Sequence, residues 1–125
     1  MTAGQAQVPT GPRRFTDPHR RAAAIEAIGR FKLATDPAWK RLAQRLRPTE
    51  VEDIAAVPEG VFETDNDRFS AIATVYLRWD DRIDGRDVSS VEGLPAEVSG
   101  HFELSAGAPV AVVDHMAVDA SSVLE

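Results

Sequence analysis

Four aspartates, Asp80, Asp81, Asp84 and Asp87, crowd around Gly85 in the stretch WDDRIDGRDVSSVE, and Glu92 follows them. Carboxylates at this density could hold a divalent cation or serve in acid–base work. A helix–loop–helix calcium loop needs oxygen ligands at positions 1, 3 and 5, Gly at 6, an apolar residue at 8 and a bidentate Glu at 12. With Gly85 at position 6, Asp80 and Asp84 fill positions 1 and 5, but Arg82 falls at 3, Asp87 at 8 and Val91 at 12. The competing reading is conformational. Asp84-Gly85 between β-formers is a two-residue hairpin signal, because a type I′ turn needs positive φ at both central residues. The hairpin is the expectation, and a metal-dependent hydrolase built on Asp80, Asp81, Asp84 and Asp87 is the alternative.

Two other acidic or imidazole groupings have the residue types for chemistry. Glu63, Asp65 and Asp67 near one turn could meet Asp80 and Asp81 at the end of the next strand and share Mg²⁺. His101 and His115 fall on consecutive strands with Asp114 and Glu103 close by, which would suit proton transfer if they lined a cleft. No nucleophile elbow or phosphate-cradling Gly loop accompanies either group. The chain contains no cysteine, so thiolate catalysis, disulfides and cysteine-held metal centres are excluded. No cofactor is expected.

The remaining candidates are cations. The formal net charge of −6 conceals two halves: through Pro48 ten Lys or Arg face three acids, and from Thr49 onward four Arg face seventeen acids. The basic half either meets an external polyanion or complements the acidic half, within one chain or between chains. Nucleic-acid binding would rest on Arg13, Arg14, Arg20, Arg21, Lys40, Arg41, Arg45 and Arg47. Against it, the short helix expected to follow in helix-turn-helix fashion, TEVEDIAAV, is acidic, and phosphate repulsion would accompany each contact.

The elements that must position these residues are readable from period and punctuation. Pro18 after Thr16-Asp17, and Pro37 after Asp36, each mark a helix start, which predicts helices over about 18–33 and 37–47. Thr49 and Glu52 form a capping-box pattern that predicts a third short helix over about 50–56. The period then changes to two. GVFE, RFSAIATVYLRWD, AEVSGHFEL and APVAVVDHMAVDAS read as strands, with Ala71, Ala73, Val75, Leu77 and Trp79 on one face and Ile72 and Tyr76 on the other. In AEVSGHFEL, Ala96, Val98, Gly100, Phe102 and Leu104 are expected to face inward. The predicted fold is α+β: about three short N-terminal helices followed by an antiparallel meander of four to five strands.

At 125 residues one domain is expected, with residues 1–15 as a flexible tail, 16–57 as a basic helical part and 60–119 as an acidic β part. No run approaches the ~20 apolar residues of a membrane helix, and the N-terminus lacks a signal pattern, so the expected location is the cytoplasm. The stretch from DPAWKRLAQRL to VDASSVLE, through the phrases VPEGVFE and FSAIATVYL, resembles a small α+β module associated with prokaryotic conflict and nuclease-associated proteins. That resemblance implies an accessory or interaction role without catalysis. Strands with apolar residues on both faces point the same way: a protein partner or a second copy, met through Ile72 and Tyr76 or through the charged halves.

Overall fold

Two Asp-Pro steps set the helices in a computed structural model that describes residues 12–65 and 67–124. Helix α1 spans Pro18–Gly29, and the Asp17 carboxylate caps it by accepting from the His19 N–H at 2.8 Å. It stops at Gly29, short of the expected 33, and a 3₁₀ turn over Leu33–Thr35 leads into α2, Pro37–Leu46. There Asp36 accepts from the N–H groups of Ala38 and Trp39, and Arg47 leaves the helix in the left-handed conformation at φ 51°. Pro48 explains the stop, since the residue before a proline avoids α geometry.

The expected third helix is not formed. Residues from Glu50 belong to strand β2, Glu50–Thr64, which pairs antiparallel with β3, Arg68–Ile83. The groups of the supposed capping box are used across the sheet instead. The Thr49 hydroxyl accepts from the Asp80 N–H at 2.8 Å, and Glu52 takes an Arg78 guanidinium N–H at 3.0 Å. A capping box contributes on the order of 1 kcal/mol. A strand here satisfies a whole ladder of backbone groups and buries Ile54 and Val61. Register shifts at Val51/Asp53 and Ala56/Val61 break the alternation along β2 and hide its period of two.

Part of the segment expected as a flexible tail, 1–15, is strand. Arg13–Arg14 form strand β1, paired with Glu63 and Phe62, while residues 1–11 lie outside the described residues. Strand β4 covers Arg86–Ser105 and β5 covers Ala108–Val118, which completes a five-stranded antiparallel sheet in the order β1-β2-β3-β4-β5. Among the described residues there are thus two α-helices and an extensive sheet, α+β as expected but with more strand and less helix.

Both helices lie on one side of the sheet. Helix α1 packs against β2 and also β5, so the sheet curls around it. Fully buried Ala24 and Ile28 of α1 meet an inner sheet face built from Phe69, Val75, Leu77, Leu94 and Met116. Phe102 packs edge-on to Phe15 at 5.9 Å and lies tilted to Phe69 at 5.3 Å. Gly100 is required at this place, because a Cβ would run into the Phe69 ring and the Val112 carbonyl. The inward series Ala96, Val98, Gly100 and Phe102 is observed, but Leu104, expected inside, is 81% exposed because the strands run on past the helices to the Ala106-Gly107 turn.

Candidate interaction surface

The strand period that buries the odd residues of β3 sends Ser70, Ile72, Thr74, Tyr76 and Arg78 to the opposite, outer face, away from the helices. Their β4 neighbours in register are Ser99, Glu97, Pro95, Gly93 and Val91. Ile72 and Tyr76 are 47% and 37% exposed, and Val91 is 50% exposed. Gly93 leaves room for the Tyr76 ring, which a Cβ there would touch at 3.0 Å. Beside Ile72 a shallow groove of about 450 Å³ is lined by Gly60, Phe62, Ser70, Ile72, Pro95 and Ala117. Two acids border it, Glu97 opposite Ile72 and Asp119 on the β5 side, and farther along the same face Asp53 is opposite Tyr76. The two residues singled out from the sequence, Ile72 and Tyr76, are therefore brought together with apolar neighbours. Pro95, Gly93 and Val91 are not marked by the sequence pattern, because β4 from Arg86 to Pro95 shows no alternation of apolar residues.

The aspartate stretch is the tip of the β3–β4 hairpin. Ile83 pairs with Arg86, and Asp84 and Gly85 form the two-residue turn at φ 53° and 79°. Beyond Arg78, which pairs with Glu50, β3 has no β2 partner, and β4 has no β5 partner before Ala96. The two strands continue alone as an arm whose residues 80–93 are all exposed. Alternation separates its carboxylates. Asp80 and Asp87 lie on the outer side, Asp81 on the inner side and Asp84 at the tip. Asp80 is held by the Ser89 hydroxyl at 2.6 Å and by Arg78 at 3.1 Å, which keeps its carboxyl below the usual range. Asp87 meets Arg82 at 3.5 Å. Among the described residues no three His, Cys, Asp or Glu side chains are placed to hold a metal ion. The acids at Glu63, Asp65 and Asp67 do not meet Asp80 and Asp81 either. They sit at opposite ends of β3, roughly 40 Å apart at the usual strand rise.

The eight candidate cations divide into two groups. Arg13 pairs with Glu63 at 3.4 Å and Asp65 at 3.1 Å. Arg20 pairs with Asp67 at 2.8 Å and stacks over the Phe102 ring, and Arg21 donates to the Pro58 carbonyl. These three serve the joint between the basic and acidic halves. Arg14 is exposed on β1. Lys40, Arg41, Arg45 and Arg47 are exposed on or just after α2, and none has a carboxylate within 4.0 Å among the described residues. The apolar side of α2, with Trp39 buried, is turned to the body.

His101 lies on the outer face near the other end of β4. Its Nδ1 is 2.8 Å from Asp114 Oδ2 and its Nε2 is 2.8 Å from Glu103 Oε2. Glu103 first, then Asp114, raise its pKa, because both favour the imidazolium that donates twice. A ring with both nitrogens engaged is a charge clamp between strands rather than a free base. His115 is opposite Ser99 and takes no part.

A larger cleft, about 720 Å³, opens between the 3₁₀ turn and the free edge of β2, where Phe31, Leu33, Trp39, Val51 and Ile54 meet Lys32 and Glu50. No helix among the described residues is long and apolar enough to cross a membrane. Compared with protein-family models, with curated proteins and with solved structures, the chain has no match.

Proposed function

We infer that the protein is a non-catalytic interaction module that docks another protein on its outer sheet face. One observation carries this reading: both helices cover the same side of the sheet, and Ile72, which lines an apolar groove, and Tyr76 remain exposed on the other. Scattered exposed apolar residues are ordinary, but several on one sheet face around a groove are what a partner covers. Tyr76 is an aromatic anchor of the kind that dominates binding energy. Its surroundings name the partner's chemistry. Asp53, Glu97 and Asp119 rim the apolar strip, so the complementary surface presents apolar side chains flanked by Lys or Arg.

The test is affinity capture with the wild-type chain and with an Ile72→Lys, Tyr76→Thr variant, followed by direct titration of the purified companion. Thr keeps the strand's preference and Lys repels a basic partner. A companion with a basic-apolar surface, bound at least about tenfold more weakly by the variant, is the expected outcome. Equal binding by both chains rejects the outer face as the docking site.

A further inference from the structure

Lys40, Arg41, Arg45 and Arg47 give the segment 37–47 a charge of +4 with no acid in it, whereas arm residues 80–92 carry five acids against Arg82 and Arg86. The two segments are neighbours at one end of the molecule. The Trp79 indole, at the base of the arm, donates to the Leu46 carbonyl at the end of α2 at 2.8 Å. They nevertheless do not neutralise each other: among the described residues no ion pair joins them, and Asp81, Asp84 and Glu92 have no cation within 4.0 Å. Lys40 and Arg41 lie at the far end of α2, roughly 8 Å of helix rise from Leu46 and so away from their own arm.

We propose that a second copy of this chain completes both segments, the arm of each copy lying along α2 of the other in a reciprocal dimer. Opposite charges set side by side on one surface satisfy each other fully across a two-fold axis, where each contact occurs twice. The dimensions agree. A ten-residue α2 is about 15 Å long, and the arm extends about 16 Å from Trp79 to its tip. The chemistry agrees as well. The arm's inner side, the side on which α2 sits, carries Asp81 and Glu92 against the single cation Arg86, together with Ile83 and Val88, which are 55% and 41% exposed. A lone two-stranded ribbon is marginally stable in water, and a neighbour along it removes that weakness. Other occupants fit α2 less well. Its apolar side is already packed inward, so a bilayer would meet charge alone, and the acidic arm beside it repels nucleic-acid phosphates. The outer face stays free for the partner inferred above, so the two surfaces fail or succeed separately.

Charge reversal tests the dimer. Wild-type protein at low salt is expected at twice its 13.6 kDa mass in light scattering. The variants Lys40→Glu, Arg41→Glu, Arg45→Glu on α2 and Asp81→Lys, Glu92→Lys on the arm each give monomers, and an equimolar mixture of the two restores a dimer containing one of each. Because the chain has no native cysteine, Gln44→Cys on α2 and Val88→Cys on the arm give an unambiguous crosslink between copies. Monomeric wild-type protein, reversal variants that still dimerise, or a mixture that does not pair would each overturn the proposal. So would a labelled oligonucleotide bound at low salt by a monomeric wild type and released by the α2 reversal.

Discussion

Gly100 and His101 are adjacent on β4 and show how far one residue reaches here. Gly100 has no side chain because the Phe69 ring and the Val112 carbonyl occupy the place of a Cβ. Gly100→Ala is expected to lower stability by about 2 kcal/mol or more, measured by urea unfolding, since neither neighbour can move cheaply. His101 points the other way, into Glu103 and Asp114. Its pKa is raised in the folded chain, so its clamp stabilises fully below the ordinary histidine value and is lost as pH rises through the folded one. An NMR titration should find the imidazole above its ordinary range, and both Glu103→Gln and Asp114→Asn should bring it down. The stability difference between wild type and His101→Gln should be larger at mildly acidic pH than at alkaline pH. An unshifted titration would show that the clamp is not formed in solution.

At the scale of elements, legibility followed local chemistry. The two Asp-Pro starts, the Asp84-Gly85 turn and the inner series of β3 were readable because each depends on a few neighbouring residues. Asp36→Ala should cost about 1 kcal/mol, a lowering of the melting temperature by roughly 3–5 °C, because two orphan N–H groups lose their acceptor. A silent substitution would mean that packing of Trp39 alone holds α2. The start of strand β2 reads as a helix because Thr49-x-x-Glu52 is a genuine local signal, overridden by pairing with β3 some 28 residues away at Glu50–Arg78. Two bulges then disguised the strand's own period. The first half of β4 is legible only where the Asp84-Gly85 hairpin starts it, and its length is not: as an arm with neither face in the core, it needs no apolar alternation. Of the candidate site, Ile72 and Tyr76 were legible as the outward residues of an otherwise buried strand. The partition of the cations was not, since Arg13 and Arg20 find their acids only through the fold.

For the whole molecule, the distribution of cover matters more than any cluster of reactive residues. The helices, the Phe15–Phe69–Phe102 group and the internal ion pairs all consolidate the inner side and the joint between the two halves. The outer face and the arm are left uncovered, one apolar with an acidic rim, the other acidic beside a basic helix. On the proposed reading, a module with surfaces of this kind works by what it holds together. The most direct test places a photo-activatable amino acid at Ile72 or at Tyr76, and as a control at Leu104, which is more exposed but lies away from the groove. Irradiation in the protein's own cells is expected to join positions 72 and 76 to the same companion and to leave position 104 unlinked. Crosslinks from Leu104 alone, or none from the outer face, would contradict the account.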